Sequence, residues 1–249
     1  MIVTHQRQPQ VLGLIPAKGG STRLPRKNII PLAGIPLLTW SIQAARDSAI
    51  CDRLLVSTED EEIAALAREN GAEVPFLRPD HLARDPAGVV DVTLHTLDML
   101  AAQGEEYQIV VILLPTCPLR SAQDIQQAFA LFQSRQALSL MSVSPFSHTP
   151  FAAWRMDAEG LLTPHFPEYA HKRSQELPLA LRPNGAIHIL SVAHLRNTRS
   201  YIAPPLLAYP MPIERSIDID TLDDLRYAEA LLANREEAAT PPSQHAARP

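Results

Sequence analysis

Short apolar runs alternate with amphipathic stretches along the first half of the chain, which is the order typical of a parallel sheet covered by helices on both faces. The apolar runs predict strands over residues 11–17, 53–57, 73–77, 109–114 and 137–142. The spacing of apolar residues predicts helices over 37–48, 61–70, 90–103, 122–133 and 222–234. The pattern therefore predicts a three-layer α/β fold.

The sequence has capping residues at the predicted ends of two helices. Asp60 can cap the second predicted helix, and Gly71 lies just beyond its end. Ser121 can cap the helix that follows Arg120. These positions support the predicted boundaries.

The pattern changes in the second half of the chain. Residues 146–205 form short segments rich in proline and aromatic residues, which predicts an inserted lobe within a single domain spanning 10–235. The polar, proline-rich tail, 236–249, is predicted to be disordered.

Composition narrows the class of protein. With 249 residues, 46% of them hydrophobic, the chain can bury one substantial core. The net charge is −5 and the basic residues cluster at one loop, which argues against a nucleic-acid partner. A polar beginning and the lack of a long apolar run predict a cytoplasmic protein without a membrane partner. Cys51 and Cys117 have no metal-type spacing and are expected to be reduced thiols.

The first predicted strand runs into a loop with two adjacent glycines, Gly19 and Gly20. Adjacent glycines let the chain turn so that backbone N–H groups converge on an anion. The loop also carries four cations, which are Lys18, Arg23, Arg26 and Lys27. The spacing matches neither a nucleoside-triphosphatase P-loop nor a dinucleotide-binding GxGxxG. The segment therefore predicts a binding loop for a polyphosphate.

Asp218 and Asp220 are two residues apart on a segment expected to be extended, so their side chains should point to the same face. Two carboxylates beside phosphate oxygens suit Mg²⁺. The alternative is that Asp220 or Thr221 caps the last helix, with Asp223 and Asp224 favouring its dipole. Both roles can hold together.

A third polar cluster follows the strand predicted over 109–114, in the turn 115–120. Thr116, Cys117 and Arg120 bring a hydroxyl, a thiol and a guanidinium to the carboxyl edge of the sheet, where ligands of open α/β sheets gather. No adjacent base points to a nucleophilic thiol, so Cys117 is interpreted as a small packing residue.

Taken together, these segments resemble the acylneuraminate (CMP-sialic acid) cytidylyltransferase family. The loop 15–28, IPAKGGSTRLPRKN, is close to that family's IPARGGSxRxPxKN, with Lys18 in place of its first Arg. Four further segments match family motifs in the same order, namely 76–85 (LRPxxLAxD), 113–120 (LQPTSPLR), 172–187 (RxQLPxxxRPNGAI) and 216–221 (SIDIDT). The resemblance extends over about residues 11–232.

The resemblance implies a mostly parallel, Rossmann-like nucleotide-diphospho-sugar transferase fold and a homodimer built through a small dimerisation lobe. It implies transfer of CMP from CTP to a nonulosonic acid, which is a 2-keto sugar acid, with release of pyrophosphate and with Mg²⁺ as cofactor. It implies that Lys27, Asp218 and Asp220 are catalytic, with the two aspartates as metal ligands. The substrate-binding residues that it implies are Lys18, Gly19, Gly20, Ser21, Arg23, Asn28, Arg78, Thr116, Arg173 and Asn184.

Within that set, the resemblance gives several residues separate roles. Lys27 faces the α-phosphoryl group, whereas Lys18, Ser21 and Arg23 face the β and γ phosphates. The base contacts fall to Asn28 and Arg78, and the sugar carboxylate to Arg173.

Four positions depart from the family pattern. Leu114, Ala152 and His188 stand where sialate-activating members have Gln, Lys and Tyr, and Val89 stands where a hydroxyl near the ribose is expected. A less polar sugar pocket favours a deoxygenated, methyl-bearing sugar such as legionaminic or pseudaminic acid. His188 is also consistent with simple packing.

Two other functions stay open from the sequence. One is a nucleotidyltransferase of the 3-deoxy-manno-octulosonate type, against which the Lys27-Asn28 pair and the segment 182–186 argue. The other is a non-catalytic nucleotide-sugar-binding homologue, suggested by the departures at Leu114, Val89 and Ala152. Retention of the predicted phosphate, metal and carboxylate residues argues against that second alternative.

Overall fold

A six-stranded sheet crosses the molecule in the computed structural model, which describes residues 10–239. The strands of the described chain are β1 (Val11–Pro16), β2 (Pro31–Leu32), β3 (Ile35–Pro36), β4 (Arg53–Ser57), β5 (Ile109–Ile112), β6 (Ser139–Pro145), β7 (Trp154–Met156), β8 (Leu162–Pro164), β9 (Leu181–Ser191) and β10 (Leu206–Pro210). The helices are α1 (Leu37–Ser48), α2 (Glu61–Glu69), α3 (Val89–Ala101), α4 (Ala122–Ser134), α5 (Val192–Thr198) and α6 (Leu222–Ala239).

The order of strands in the main sheet is β10-β6-β9-β5-β1-β4. β1 pairs in parallel with β4 and β5, and β6 pairs in parallel with β10. Only β9 runs antiparallel within this sheet, between β5 and β6. The mostly parallel α/β fold predicted from the sequence is therefore confirmed.

Helices cover both faces because both faces of the strands are apolar. Ile15 of β1 packs in one buried cluster with Leu38 of α1 and Ile63 of α2. The neighbouring residue, Leu14, points the other way and packs with Leu97 of α3. This arrangement gives three layers, helices on each side of a central sheet.

Most predicted elements form within a few residues of their expected bounds, but the strand predicted over 73–77 is wrong. Glu73 makes only an isolated parallel bridge to Leu55. Pro75 follows two residues later and has no N–H to donate to a ladder. The segment instead carries the chain from α2 to Arg78.

The region predicted as an inserted lobe over 146–205 is divided in the structure. Its first part contains the antiparallel pair β7 and β8 and short 3-10 turns. Residues 181–191 are instead β9, which lies inside the main sheet. The strand was missed because Pro183, Asn184 and Gly185 interrupt its apolar pattern.

The last helix is longer than predicted. α6 continues to Ala239, so residues 236–239 of the predicted disordered tail are helical. The remainder of that tail, 240–249, lies outside the described residues. Between residues 10 and 239, no helix is long and apolar enough to cross a membrane.

Candidate active site

A cavity of approximately 400 Å³ opens at the carboxyl ends of β1 and β5. Parallel neighbours bring their carboxyl ends to the same edge, so the loops that follow them face each other there. Nine of the residues predicted for the site line this cavity, namely Lys18, Ser21, Arg23, Lys27, Asn28, Arg78, Thr116, Asp218 and Asp220. Segments far apart in the sequence therefore meet at one place.

The loop after β1 is shaped by its contact with the β4–α2 connection. A Cβ on Gly19 would lie 2.5 Å from Asp60 Oδ2, so only glycine fits at that position. A Cβ on Gly20 would meet open space. The Gly19 N–H donates to Glu59 Oε1 at 2.7 Å, so this amide bonds a protein carboxylate and is not held open for an anion as predicted.

Two of the predicted cations converge on Asp220. Lys27 Nζ donates to Asp220 Oδ1 at 2.6 Å, and Arg23 Nη1 lies 2.8 Å from Asp220 Oδ2. Arg26 holds a left-handed backbone conformation with φ 56° immediately before Lys27. The Arg26 guanidinium pairs with Asp60, the residue that caps α2. These contacts fix the direction from which Lys27 enters the cavity.

Asp218 lies beside Thr116 on the same cavity wall. Its segment is held there because Ile219 N–H donates to the Thr116 carbonyl at 2.8 Å. Loss of surrounding water raises the pKa of the Asp218 carboxyl, and the nearby Asp220 charge raises it further, while Thr116 and Lys27 oppose the rise. Two carboxylates that disfavour each other's charge are suited to bind a cation between them.

Thr221 and Asp224 cap the start of α6, so the capping alternative is confirmed for Thr221 and not for Asp220. The Asp224 carboxylate accepts from the backbone N–H groups of Asp220 and Thr221, and the Thr221 hydroxyl accepts from Asp224 N–H at 3.2 Å. The side chains of Asp218 and Asp220 are therefore not needed as caps, and both line the cavity.

The donor set agrees with Mg²⁺ and not with a metal held by protein alone. Among residues 10–239, no group of three or more His, Cys, Asp or Glu side chains is arranged to hold a metal ion. Mg²⁺ is commonly bound by one or two carboxylates together with waters and substrate phosphates. The pair Asp218 and Asp220 in a cavity with four cationic side chains fits that kind of site.

Asn28 and Arg78 lie in the cavity wall with defined partners. Asn28 Nδ2 donates to the Lys18 carbonyl at 2.8 Å, which ties the two ends of the loop together. Arg78 is buried, and its Nη2 donates to Glu59 Oε2 at 2.8 Å. Both side chains are therefore held in fixed positions.

Asn184 is buried and lies outside the cavity lining. Its Nδ2 donates to Ser216 Oγ at 2.8 Å, and its Oδ1 accepts from Ser142 Oγ at 2.6 Å. Its backbone carbonyl accepts from the Cys117 thiol at 3.0 Å. These bonds connect β6, β9 and the segment that leads to Asp218, so Asn184 helps to position Asp218 in this structure.

Arg173 and Ala152 are also outside the cavity lining, in the region before β9. Arg173 is exposed and precedes a short 3-10 turn, where its N–H donates to Glu176 Oε2 at 2.8 Å. The cavity of this chain is therefore formed without Arg173. Leu114 and Val89, in contrast, line the wall as expected for residues close to the substrates.

His188 lies in the middle of β9 and is buried against Tyr201, with ring centroids 5.0 Å apart. Burial lowers the pKa of its imidazole to about 4, so the ring is neutral at physiological pH. It does not line the cavity, which agrees with the packing interpretation.

The turn after β5 is held by buried groups. Burial raises the pKa of the Cys117 thiol to about 12, so the residue stays protonated and packs as predicted. Arg120 donates to the carbonyls of Leu114 and Cys117 and to the Ser41 hydroxyl. Glu59 was not among the predicted residues, although it lies two residues after the end of β4, the neighbour of β1, at the sheet edge where functional residues are expected.

A family model described as cytidylyltransferase matches residues 12–153. The pseudaminic acid cytidylyltransferase of Campylobacter jejuni is 32% identical over 228 residues, covering 92% of this chain and 98% of that protein. The CMP-N,N'-diacetyllegionaminic acid synthase of Legionella pneumophila is 33% identical, with coverage of 92% and 99%. The solved structure of a CMP:2-keto-3-deoxy-manno-octonic acid synthetase in complex with CTP aligns with a TM-score of 0.68 at 16% identity, covering 91% of this chain and 99% of that one, and so shares the fold.

Proposed function

The chain belongs to the cytidylyltransferase family, and we propose that it activates a nonulosonic acid by converting CTP and the sugar acid into the CMP-sugar and pyrophosphate. The observation that carries this proposal is one cavity in which Lys27 and Arg23 meet Asp218 and Asp220. A triphosphate with its divalent cation needs that combination of positive side chains and paired carboxylates.

In the reaction, the anomeric hydroxyl oxygen of the sugar forms a bond to the α-phosphorus of CTP. The bond from that phosphorus to the oxygen bridging the β-phosphate breaks, pyrophosphate leaves with the electron pair, and the proton of the sugar hydroxyl is released to water. Reactions of this type ask the protein mainly to position the reactants and to offset developing negative charge. The part-buried Lys27 ammonium offsets charge at the α-phosphoryl group, and Lys18, Ser21 and Arg23 hold the outer phosphates.

Asp218 and Asp220 would hold Mg²⁺ in this proposal. When bound, the ion neutralises charge on the phosphate oxygens and helps to orient them. Asp220 also keeps Lys27 and Arg23 at the same corner of the cavity, because its carboxylate accepts a hydrogen bond from Lys27 and forms an ion pair with Arg23. Asn28 and Arg78, which are held in the cavity wall by their own hydrogen bonds, would contact the cytosine.

The sugar preference belongs to the same proposal. Leu114 makes part of the cavity wall apolar, which favours a sugar with methyl groups over one rich in hydroxyls. The names of the two relatives, one for pseudaminic acid and one for diacetyllegionaminic acid, support this preference. We further propose a homodimer that works in the cytoplasm.

The test is release of pyrophosphate from CTP, with and without Mg²⁺, in the presence of N-acetylneuraminic, legionaminic, pseudaminic or 3-deoxy-manno-octulosonic acid. We expect Mg²⁺-dependent release with legionaminic or pseudaminic acid. Asp218→Ala should abolish release, whereas Asp47→Ala, on the exposed side of α1, should not change it.

Other results of the pyrophosphate-release assay would contradict parts of the proposal. N-acetylneuraminic acid as the best substrate would contradict the sugar preference, and 3-deoxy-manno-octulosonic acid would support the related alternative. Binding of CTP without release for any sugar would point to a non-catalytic homologue.

A further inference from the structure

Glu59 joins two walls of the cavity through a single carboxylate. It stands in the connection between β4 and α2, and its side chain is 15% exposed. Its Oε1 accepts from the Gly19 N–H at 2.7 Å. Its Oε2 accepts from Arg78 Nε at 3.0 Å and from Arg78 Nη2 at 2.8 Å. The phosphate loop and the arginine therefore share one anchor.

The arginine depends on this carboxylate. The Arg78 side chain is only 3% exposed, and a buried guanidinium without an opposite charge is strongly unfavourable. Two N–H donors on one carboxylate also fix the plane of the guanidinium, because the fork geometry tolerates little rotation. The part of Arg78 that lines the cavity is thus presented in one orientation.

The loop depends on the same carboxylate. Gly19 lies so close to the β4–α2 connection that a Cβ would collide with Asp60. The hydrogen bond from the Gly19 N–H to Glu59 fixes the distance between the loop and that connection. Burial acts to raise the pKa of the Glu59 carboxyl, but the hydrogen bonds from Arg78 and Gly19 outweigh it and leave the pKa below its usual value. The carboxylate is therefore charged at neutral pH and accepts from both partners.

We propose that Glu59 is a positioning residue for CTP, which holds Arg78 and the Gly19 end of the phosphate loop in one arrangement before the nucleotide binds. Glu59 does not itself line the cavity, so it acts through these two partners. The inference rests on the proposed use of CTP. The inference adds that one side chain, Glu59, positions both the side of the site that contacts the base and the side that contacts the phosphates.

The test compares Glu59→Gln with Glu61→Gln. The first variant keeps the shape of the side chain and one acceptor oxygen but removes the charge that Arg78 needs. The second removes the same charge two residues later, at an exposed position in the first turn of α2. Calorimetry with CTP and with UTP and steady-state kinetics are measured for both variants and for the wild type.

We expect the Kd of Glu59→Gln for CTP to rise by about tenfold to a hundredfold, as for loss of a hydrogen bond between charged groups. The preference for CTP over UTP should fall, because Arg78 is no longer fixed against the base. The KM for CTP should rise with the Kd, while the KM for the sugar stays within about twofold. A general loss of structure would not raise the KM for CTP while leaving the KM for the sugar unchanged. Glu61→Gln should match the wild type.

An unchanged Kd for CTP in Glu59→Gln, with CTP bound by the wild type, overturns the inference and leaves the proposed function standing. No CTP binding by the wild type overturns the proposed function and the inference with it. If Glu59→Gln does not fold, Glu59→Asp serves, because its carboxylate is one methylene short of both partners. CTP binding by Glu59→Asp equal to that of the wild type contradicts the proposal.

Discussion

Lys27 is the side chain on which the proposed chemistry depends most directly. Its ammonium is 16% exposed and bonds Asp220 across the cavity. Lys27→Met should lower kcat on the order of 10²- to 10³-fold, as for removal of one group that stabilises transition-state charge. The fold should persist, because Arg23 remains paired with Asp220. The measurement is the rate of pyrophosphate release at saturating CTP and sugar.

The control for this change is Lys172→Met, which removes a lysine that lies over the Tyr169 ring, outside the cavity. Its kcat should stay within about twofold of the wild type, since Lys172 does not line the cavity that holds Lys27 and Asp220. A kcat of Lys27→Met close to that of the wild type would remove Lys27 from its proposed role.

His188 should make the stability of the protein depend on pH. Its pKa is about 4 in the folded protein and near 6.5 when exposed, so below pH 6.5 the unfolded chain binds a proton that the folded chain does not. The free energy of unfolding therefore falls as the pH decreases from 6.5 to 4, by up to about 1.4 kcal/mol per unit of pH. Between pH 7 and pH 5 this residue should account for a loss of about 2 kcal/mol.

Urea denaturation at the two pH values checks this expectation. His188→Gln has no titrating ring, so its loss between pH 7 and pH 5 should be smaller than that of the wild type by about 2 kcal/mol. His148→Gln, at an exposed position, should keep the full loss. Equal losses in all three proteins would show that His188 is protonated in the folded state.

The meeting of Lys27 and Asp218 in one cavity was predictable from the sequence. Loops that follow parallel strands gather at the carboxyl edge of the sheet, so polar groups in those loops meet there. The position of Asn184 was not predictable, because its partners lie 42 and 32 residues away and the same Asn-Gly pair also reads as a turn. The role of Arg173 stays a prediction, because Arg173 does not line the cavity of this chain.

At the scale of elements, the junction between β4 and α2 supports both the helix and the loop before Lys27. Asp60 Oδ1 accepts from the N–H groups of Glu62 and Ile63, and Asp60 Oδ2 pairs with Arg26. Asp60→Asn keeps an acceptor for the cap but loses the charge, and Asp60→Ala loses both.

We expect Asp60→Ala to lower the free energy of unfolding by about 0.5–2 kcal/mol through loss of the cap, and Asp60→Asn to lower it less. Both should weaken CTP binding, because Arg26 is released from its left-handed conformation beside Lys27. Denaturation and calorimetry report the two effects separately. Ser121→Ala, which removes the cap of α4, should cost a similar stability without changing CTP binding. If Asp60→Asn binds CTP as tightly as the wild type does, Asp60 acts only as the cap of α2.

Elements were predictable where local pattern and tertiary position agree. The helix over 37–48 has its predicted bounds because its apolar face repeats with the helical period and packs on the sheet. β9 was not predictable in this way, because a strand inserted antiparallel between β5 and β6 depends on long-range pairing. Its interior Pro183 stands beside a register shift against β6, where the ladder is already irregular.

At the scale of the whole molecule, the pair β7 and β8 leaves apolar side chains uncovered. Trp154 is 51% exposed, Met156 71% and Leu162 63%. A two-stranded pair is marginal on its own in water, and an apolar patch of this kind marks an interface. A second copy of the chain is the partner that the homodimer proposal supplies.

The double variant Met156→Glu with Leu162→Glu should therefore be monomeric at concentrations where the wild type is a dimer, because burial of two unpaired charges at an interface costs several kcal/mol. Light scattering measures the mass of each protein.

The matched control is Met99→Glu, at a position that is 37% exposed on α3, which should leave the dimer intact. The monomeric variant should bind CTP normally, since the proposed CTP cavity is lined by residues of one chain. A monomeric wild type would contradict the dimer and would leave the exposed face of β7 and β8 without its proposed partner.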